Sequence, residues 1–392
     1  QAGSDLAAVA TRAVPEGDHY RLSGQKIYIT WGDHQMTDNV IHLVLARLPD
    51  APQGVKGISM FLVPKFLLDA NGEPGERNDV KCISLEHKLG IHGSPTCTLA
   101  LGEDEGAVGY LVGEPHKGLA AMFTMMNDAR QRVGLQGLAV SERSYQQALA
   151  YAKDRLQGTR KDGSRYPIIE FPDVRRMLLL MKSGTEAMRA LAYTAAAEID
   201  RCRFAQDPDQ KARYSARVDL YTPIVKGWLT EMSIELTSHG VQVHGGMGYV
   251  EETGSAQHFR DARITTIYEG TTGIQANDLV GRKTLMDGGE AVGALIADIR
   301  GLADSMSSSE EFSGLGEGLS EAADWAQSAC DWILENAPGD RHAAGSASVN
   351  YLMLMGYVCG GWLMGKAAMK ARERLEAGSG DKAFLEAKLV TA

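Results

Sequence analysis

The sequence has few cysteines, and their spacing fits neither a disulfide framework nor a metal site. Only five occur among 392 residues, none belongs to a C-x-x-C pair, and the ten histidines form no H-E-x-x-H arrangement. Disulfide-rich proteins and zinc sites show such spacings. The sequence therefore predicts reduced thiols of an intracellular protein and no metal site; the cysteines are Cys82, Cys97, Cys202, Cys330 and Cys359.

Positive charge is also scarce. The chain has 40 Lys and Arg residues against 50 Asp and Glu residues, which gives a net charge of −10. Proteins that bind nucleic acid usually present a basic surface, so we expect no nucleic-acid partner. Glycine, in contrast, is abundant at 44 residues. This abundance indicates sharp turns, or places where the backbone approaches a ligand closely.

Long uncharged runs are nearly absent. Residues 343–365 carry no charged side chain, and a run of this length could cross a bilayer. The run contains Gly, Ser and Asn throughout, and basic residues follow from Lys366 onward. We therefore expect a buried helix here and no membrane span.

Clear start and stop signals are missing at the ends of the chain. The first residue is Gln1 instead of Met, and the last apolar residues have no helix-terminating signal. A targeting peptide cannot be read from such a start. We expect a fragment that is cut at both ends.

Three regions differ in their residue pattern. Residues 1–112 contain β-rich runs divided by Gly, Asp and Pro, as in a sandwich or small barrel. Residues 113–287 carry apolar residues at helical spacing over long segments, which indicates an antiparallel bundle. Residues 288–392 predict a further helical region, which begins at two glycines and has a Ser/Glu-rich loop at 305–313 before its helices. The expected fold class is α+β, with a β-barrel or sandwich domain before the helices.

One carboxylate stands among small residues in the segment I-Y-E-G-T-T-G-I-Q, residues 267–275. Glu269 follows an aromatic residue and precedes the predicted start of a helix. It could be a solvated residue beside an N-cap threonine, which is a common arrangement. It could also be a general base, with Gly270 leaving room for a substrate.

A glycine-rich segment, Q-V-H-G-G-M-G-Y, spans residues 242–249. Three glycines after a long helix could simply end that helix. They could equally expose backbone N–H groups to a phosphate. The nearby Arg260 and Arg263 are either surface charges or partners of an anion. Two further loops complete the set. Residues 1–6 have the Gly-Ser-Asp composition of a tight turn, and residues 24–30 place an aromatic and a hydroxyl on one face of a strand.

Taken together and in this order, these segments resemble the acyl-CoA dehydrogenase family of flavoenzymes over residues 1 to about 285. Residues 1–6 resemble the end of the family's E-P-x-A-G-S-D loop at the flavin, and Y-I-T at 28–30 resembles its W-I-T segment. Residues 242–246 match the Q-x-x-G-G loop, which holds the FAD of a neighbouring subunit. Residues 267–271 match the I-Y-E-G-T motif, whose Glu is the catalytic base.

The resemblance implies a role for each matching residue. Glu269 is the expected catalytic base, and Gly270 the expected substrate contact beside it. The expected FAD-binding residues are Ser4, Tyr28, Thr30, Arg155, Gln242, Gly245, Gly246 and Thr271. Two more substrate-binding residues are implied, Ser94 in G-S-P-T and Arg130 in N-D-A-R, the latter preferred over Arg132.

The match around Arg155 departs from the family pattern. The family continues R-x-T-F-G, whereas this chain reads R-L-Q-G, and Phe171-Pro172 replace a His-Gln pair. These departures affect the expected contacts to the adenine across a subunit interface. The segment K-L-G-I-H-G-S-P-T at 88–96 and the additional helical region after 285 resemble the branch of the family that contains 3-methylmercaptopropionyl-CoA dehydrogenase.

The implied reaction is FAD-dependent α,β-dehydrogenation of an acyl-CoA thioester, with 3-methylmercaptopropionyl-CoA as a candidate substrate. Glu269 would remove the α-proton, FAD N5 would take the β-hydride, and the product would be a trans-2-enoyl-CoA. Electron-transfer flavoprotein is the implied acceptor, and a homodimer or homotetramer the implied assembly. The implied location is the cytoplasm of a bacterium, or the mitochondrial matrix of a eukaryote. Two alternatives are an acyl-CoA oxidase that uses O₂ and a DNA-associated flavoprotein of the same fold.

The family also has a helical N-terminal domain. The resemblance places that domain before Gln1, outside this chain.

Overall fold

The computed structural model describes residues 3–392, except for the side chain of Arg341. The expectations for Gln1 and Ala2 lie outside the described residues. The chain divides into two compact units, one ending at Asp128 and the other spanning Ala129–Ala392. Each unit is described by itself below.

The first unit is built on a seven-stranded sheet. Its strand order is β1-β3-β4-β9-β2-β8-β7, and β1 also pairs with β2, which closes five of the strands into a ring. A separate two-stranded sheet joins β5 and β6. The strands are β1 (Arg12–Glu16), β2 (His19–Thr30), β3 (Ile41–Arg47), β4 (Ile58–Pro64), β5 (Phe66–Leu68), β6 (Pro74–Arg77), β7 (Val80–Leu85), β8 (Thr96–Leu101) and β9 (Ala107–Val112).

The long strand β2 holds this sheet together. Its first half pairs with β1 and β9, and its second half pairs with β8. A tight turn joins β1 to β2, and Gly17 takes a φ of +62° there, which side chains other than glycine rarely adopt. Inside the sheet, Leu22, Phe61 and Val63 are fully buried and form the core with their neighbours.

The second unit is helical. Its helices are α1 (Gly118–Asp154), which begins in the first unit, α2 (Pro172–Phe204), α3 (Pro208–His244), α4 (Ser255–Arg263), α5 (Thr272–Lys283), α6 (Glu290–Ser307), α7 (Ser313–Asn336), α8 (Arg341–Glu376) and α9 (Lys382–Thr391). A short hairpin of β10 (Leu156–Thr159) and β11 (Arg165–Pro167) joins α1 to α2. A β sheet with barrel-like closure followed by helices confirms the predicted α+β fold class.

The C-terminal helices pack onto the bundle as part of the same unit. Trp228 of α3 lies against Gly356 and Gly360 of α8, where an added Cβ would overlap the indole. Glycine is therefore required at these two positions by close approach of a large side chain. One shared core contains buried residues from α2, α3, α5, α6, α7 and α8.

Helix α8 contains the uncharged run noted in the sequence. Among the described residues it is the one helix long and apolar enough to cross a membrane, and 61% of its most apolar window is buried within the protein. That burial is typical of a core helix.

The predicted loop at 305–313 is shorter in the structure than the sequence indicates. Residues 305–307 complete α6, and α7 begins at Ser313, so only a short turn separates the two helices. Phe312 is buried in that turn, and Gly316 and Leu319 are buried in the first turns of α7. Burial of this face outweighs the low helix propensity of the Ser and Gly residues.

Candidate active site

Glu269 lies in a turn immediately before α5 and adopts a strained backbone conformation. Its φ is +54°, and that of Gly270 is +96°. A non-glycine residue with positive φ is uncommon, and such residues concentrate at functional sites. The side chain of Glu269 is half-buried. The turn thus presents a partly accessible carboxylate at a position that the surrounding structure must hold in place.

Contacts from α5 hold this turn. The side-chain amide of Gln275, which is fully buried, donates a hydrogen bond of 3.4 Å to the carbonyl oxygen of Glu269. Thr271 caps α5, because its hydroxyl accepts a hydrogen bond from the N–H of Ile274. A Cβ at Gly270 would overlap the amide of Gln275. The glycine after Glu269 is therefore required by both its φ and its close packing.

Two further elements of the bundle fix the ends of this turn. The hydroxyl of Thr272 donates to the carboxylate of Glu231 on α3. On the other side of Glu269, the phenol of Tyr268 donates to the side-chain oxygen of Gln136 on α1. The sequence motif did not identify Glu231, Gln136 or Gln275, since each acts on the turn from a distant position or from inside a helix.

Arg130 is buried on α1 near the carboxylate of Glu269. Its side chain is 5% exposed, and its Nη1 lies 3.5 Å from Oδ2 of Asp278 on α5. Burial lowers the pKa of Arg130, whereas the charges of Asp278 and Glu269 raise it. The structure thus brings Arg130, Glu269, Gly270 and Thr271 together in one unit. Arg132, the alternative to Arg130, is exposed.

The glycine-rich loop follows α3. Gly245 ends the helix with a φ of +61°, and a Cβ at Gly245 or Gly246 would meet no atom within 4 Å. The preceding His244 is buried, and its Nδ1 lies 2.7 Å from the carbonyl oxygen of Gly240. Gln242 is exposed. The loop is thus anchored at His244 and open at the two glycines, which leaves space beside its backbone for a phosphate.

Arg155 stands at the exposed junction between α1 and β10. Its N–H donates 2.8 Å to the carbonyl of Tyr151, and its own carbonyl accepts 2.8 Å from Ile168, so the backbone is fixed while the side chain is exposed. Among the described residues, no carboxylate lies within ion-pair distance of the guanidinium. Arg155 is therefore available to an anion outside the described chain.

In the first unit, Tyr28 and Thr30 lie on β2 and are exposed. A bulge interrupts the pairing with β8 between Lys26 and Ile29, and Tyr28 has a φ of +60°. The side chain of Tyr28 is 69% exposed. Bulges often turn a side chain toward a ligand, and this one presents an aromatic surface that could cover a flat ring.

The remaining predicted residues of the first unit are Ser94 and Ser4. Ser94 lies in a turn that two hydrogen bonds close. The N–H of Ser94 donates 3.0 Å to the carbonyl oxygen of Ile91, and Nζ of Lys88 donates 2.5 Å to the carbonyl oxygen of Ser94. It is half-buried, and Ser4 is exposed. The residues predicted to bind FAD thus offer exposed aromatic and hydroxyl groups in this unit. In the helical unit they offer an exposed amide, an exposed guanidinium and an open glycine loop. Groups of each kind suit part of a flavin dinucleotide.

A cavity of about 450 Å³ occurs elsewhere in the helical unit. Its charged lining consists of four cations and two anions, Arg201, Arg213, Arg217, Lys366, Glu198 and Asp298. Arg217 pairs with Asp298 at 2.9 Å and Arg201 with Glu198 at 2.6 Å. Among the described residues, no carboxylate pairs with Arg213 or Lys366. The cavity therefore suits an anionic group, and no sequence motif marked it.

Three family profiles match successive parts of the chain. They are the acyl-CoA dehydrogenase middle domain over residues 1–103, the acyl-CoA dehydrogenase C-terminal domain over 116–284, and the acetyl-CoA dehydrogenase C-terminal-like domain over 293–392. The chain belongs to the acyl-CoA dehydrogenase family. This confirms the predicted resemblance, and it makes the chain part of an FAD-dependent family of oxidoreductases that act on the CH–CH bond of acyl-CoA.

Similar proteins come from several organisms. The chain is 47% identical to 3-methylmercaptopropionyl-CoA dehydrogenase of Ruegeria pomeroyi, over 100% of this chain and 67% of that protein. It is 37% identical to the broad-specificity linear acyl-CoA dehydrogenase FadE5 of Mycobacterium tuberculosis, again over 100% of this chain and 67% of that protein. The chain thus spans about two thirds of the length of these relatives.

Solved structures share the fold. The structure of Caenorhabditis elegans ACDH-11 in complex with C11-CoA superimposes with a TM-score of 0.78 at 22% identity, over 99% of this chain and 62% of that chain. A Bacillus anthracis acyl-CoA dehydrogenase complexed with FAD gives a TM-score of 0.77 at 21% identity, over 100% of this chain and 64% of that chain.

Proposed function

We propose that the protein containing this chain converts an acyl-CoA thioester to the trans-2-enoyl-CoA, with Glu269 as the base that removes the α-proton. The observation that carries the proposal is the conformation of Glu269. The residue is held at positive φ by contacts from α1, α3 and α5, with its carboxylate only half-buried. Preorganised placement of a base is what removal of a weakly acidic α-proton requires.

The turn can also stabilise the charge that develops on the thioester oxygen. The backbone N–H of Glu269 is a candidate donor to that oxygen, because Gly270 has no side chain to block the approach. Such a donor acts most strongly in a water-excluded site. FAD, when bound, supplies the hydride acceptor. Tyr28, Thr30, Arg155, Gln242, Gly245, Gly246 and Thr271 are the residues proposed to hold it, together with Ser4.

For the substrate, we propose 3-methylmercaptopropionyl-CoA first. The relative with that name matches the entire chain at 47% identity, whereas FadE5 matches at 37%. Arg130, Ser94 and Gly270 are the proposed substrate-binding residues. Arg130 lies near Glu269, where its charge would stabilise an enolate-like oxygen.

The acceptor, assembly and location follow from the family and are proposals of the same kind. We propose electron-transfer flavoprotein as the electron acceptor and a homodimer or homotetramer as the assembly, with Arg155 and the glycine loop contacting FAD across the interface. Both named relatives are bacterial, so we propose the bacterial cytoplasm as the location.

The test is a panel of acyl-CoA thioesters offered to the purified full-length protein without oxygen. We expect 3-methylmercaptopropionyl-CoA and short linear thioesters to bleach the flavin absorbance and to form the enoyl-CoA. Reduction of electron-transfer flavoprotein, with little oxygen consumption, would separate a dehydrogenase from an oxidase. A flavin that no thioester bleaches would contradict the proposal.

A further inference from the structure

Lys226 occupies an unusual position in the middle of α3. It is fully buried, and its Nζ has no hydrogen-bond partner among the described residues. Its neighbours along the helix include Val225 and Trp228, which are also buried. Lysine is almost never fully buried unless its ammonium is paired. This ammonium therefore needs an explanation beyond packing.

Three elements meet around Lys226. Helix α1 packs against α3 where Gln131 donates 3.1 Å to the hydroxyl of Thr222, one turn before Lys226, and the segment before α5 meets α3 where Thr272 bonds to Glu231, five residues after it. Glu231 follows it on α3, Glu269 comes from the turn before α5, and Arg130 comes from α1. The two carboxylates favour the charged ammonium, and Arg130 opposes it. Two of these groups already have partners, since Glu231 accepts a hydrogen bond from Thr272 and Arg130 pairs with Asp278. Lys226 thus lies within electrostatic range of the proposed base as a cation without a fixed partner.

Burial of this ammonium does not favour folding. Moving a charge from water into an apolar interior costs free energy that only close pairing returns. In agreement, burial lowers the pKa of Lys226 from 10.5 to about 8. An apolar side chain of similar length, such as Met, would fill the same space without this cost. The fold alone gives no reason for a cation here.

We propose that Lys226 is a positioning residue for the reaction, whose charge keeps the Glu269 carboxylate ionised when substrate excludes water from it. The inference rests on the proposed role of Glu269 as the base. Covering a carboxylate with an acyl chain and a flavin disfavours its charged form, and a nearby cation opposes that effect.

The main test compares Lys226→Met with Lys226→Arg and the parent in the full-length FAD-loaded protein. The measurement is the rate of flavin reduction by a reactive acyl-CoA as a function of pH. Loss of the charge should move the acid limb of the profile to higher pH by about one unit, the size of effect expected for a close opposite charge. Lys226→Arg keeps the charge and should leave the limb near its parental position.

Lys283→Met is the matched control. Lys283 is also largely buried in the helical unit, but its Nζ pairs with Asp219 at 3.1 Å. Its loss should lower the melting temperature without moving the acid limb. If the limb of Lys226→Met also stays in place, the inference is wrong. Lys226→Gln replaces Lys226→Met in the same comparison should the latter fail to fold.

Melting temperature against pH, without substrate, provides a second readout. Because the folded pKa is about 8 and the unfolded value is 10.5, burial of the charge is most unfavourable below pH 8 and ceases to matter above pH 10.5. Lys226→Met should therefore melt above the parent at pH 7, and this gain should shrink as the pH rises through that window. A loss of melting temperature at pH 7 with an unmoved limb would show a structural lysine. If the proposed function itself is wrong, the result is different, because the flavin of the parent protein then stays oxidised at every pH. That result would also contradict this inference.

Discussion

The turn that carries Glu269 and the glycine loop after α3 both use glycine, but for opposite reasons. At Gly270 the space beside the backbone is filled by Gln275, and φ is strongly positive. At Gly246 the space is empty, and φ is not in the left-handed region. The chain itself therefore fixes the turn that carries Glu269, while it leaves the glycine loop open. The same unit thus contains one turn whose conformation the chain fixes and one glycine loop that the chain leaves open.

The strongest test of the proposed role of this turn is Glu269→Gln in the full-length protein. Gln has nearly the shape of Glu and should keep the turn, but it cannot accept the proton. We expect turnover to fall by several orders of magnitude while FAD and CoA ester binding persist. Stopped-flow measurement of flavin reduction provides the test. Near-parental bleaching would remove Glu269 from the role of base.

Gly270→Ala and Gly246→Ala form a matched pair that sharpens the comparison. Ala at position 270 would be strained at a φ of +96° and would displace the amide of Gln275 from the carbonyl of Glu269. We expect the free energy of unfolding to fall by roughly 1–3 kcal/mol, with a loss of turnover because the base is misplaced. Chemical denaturation, read beside the rate of flavin reduction, measures both effects.

At position 246 the expected result reverses. Ala fits the backbone and meets no protein atom, so the free energy of unfolding should stay unchanged or rise by up to about 1 kcal/mol. If the open space receives a phosphate of FAD, the added methyl group should weaken FAD retention. Flavin content after gel filtration is the measurement. A variant with parental flavin content would indicate that the loop is an ordinary helix end.

The two loops also differ in how far the sequence alone could describe them. The I-Y-E-G-T segment predicted the start of α5 to within a residue, because a threonine cap and a glycine are local signals. The role of Glu269 as the base stays a prediction. Gln275, Glu231 and Gln136 act on the turn through contacts between helices, and no local pattern shows such contacts. For Lys226 the sequence shows only a charged residue within an apolar run. Its burial could not be predicted, because it depends on how α1, α3 and the turn pack together.

The first unit and the third region show the same limit. The β-rich pattern predicted that residues 1–112 form β structure, whereas the bulge at Tyr28 depends on the register with β8. Between α6 and α7, the Ser, Glu and Gly residues predicted a loop at 305–313. Helix α6 extends through the first three of those residues, where Met306 is buried, since tertiary packing outweighs a weak local preference.

The smallest expected effect comes from comparing two arginines. The chain itself holds the side chain of Arg160, whereas it leaves that of Arg155 open to a ligand. Arg160 pairs with Glu170 and stacks 4.4 Å from the ring centre of Tyr166, whereas Arg155 is exposed and has no carboxylate partner among the described residues. If Arg155 contacts the pyrophosphate of FAD, Arg155→Ala should lose a charge-assisted bond and weaken FAD retention by about tenfold. Its intrinsic rate of flavin reduction, measured at saturating FAD, should change little. Arg160→Ala should do the reverse, with a lower melting temperature and parental FAD affinity. Equal FAD affinity in Arg155→Ala and the parent would mean that the departures from the family pattern after Arg155 have removed this contact.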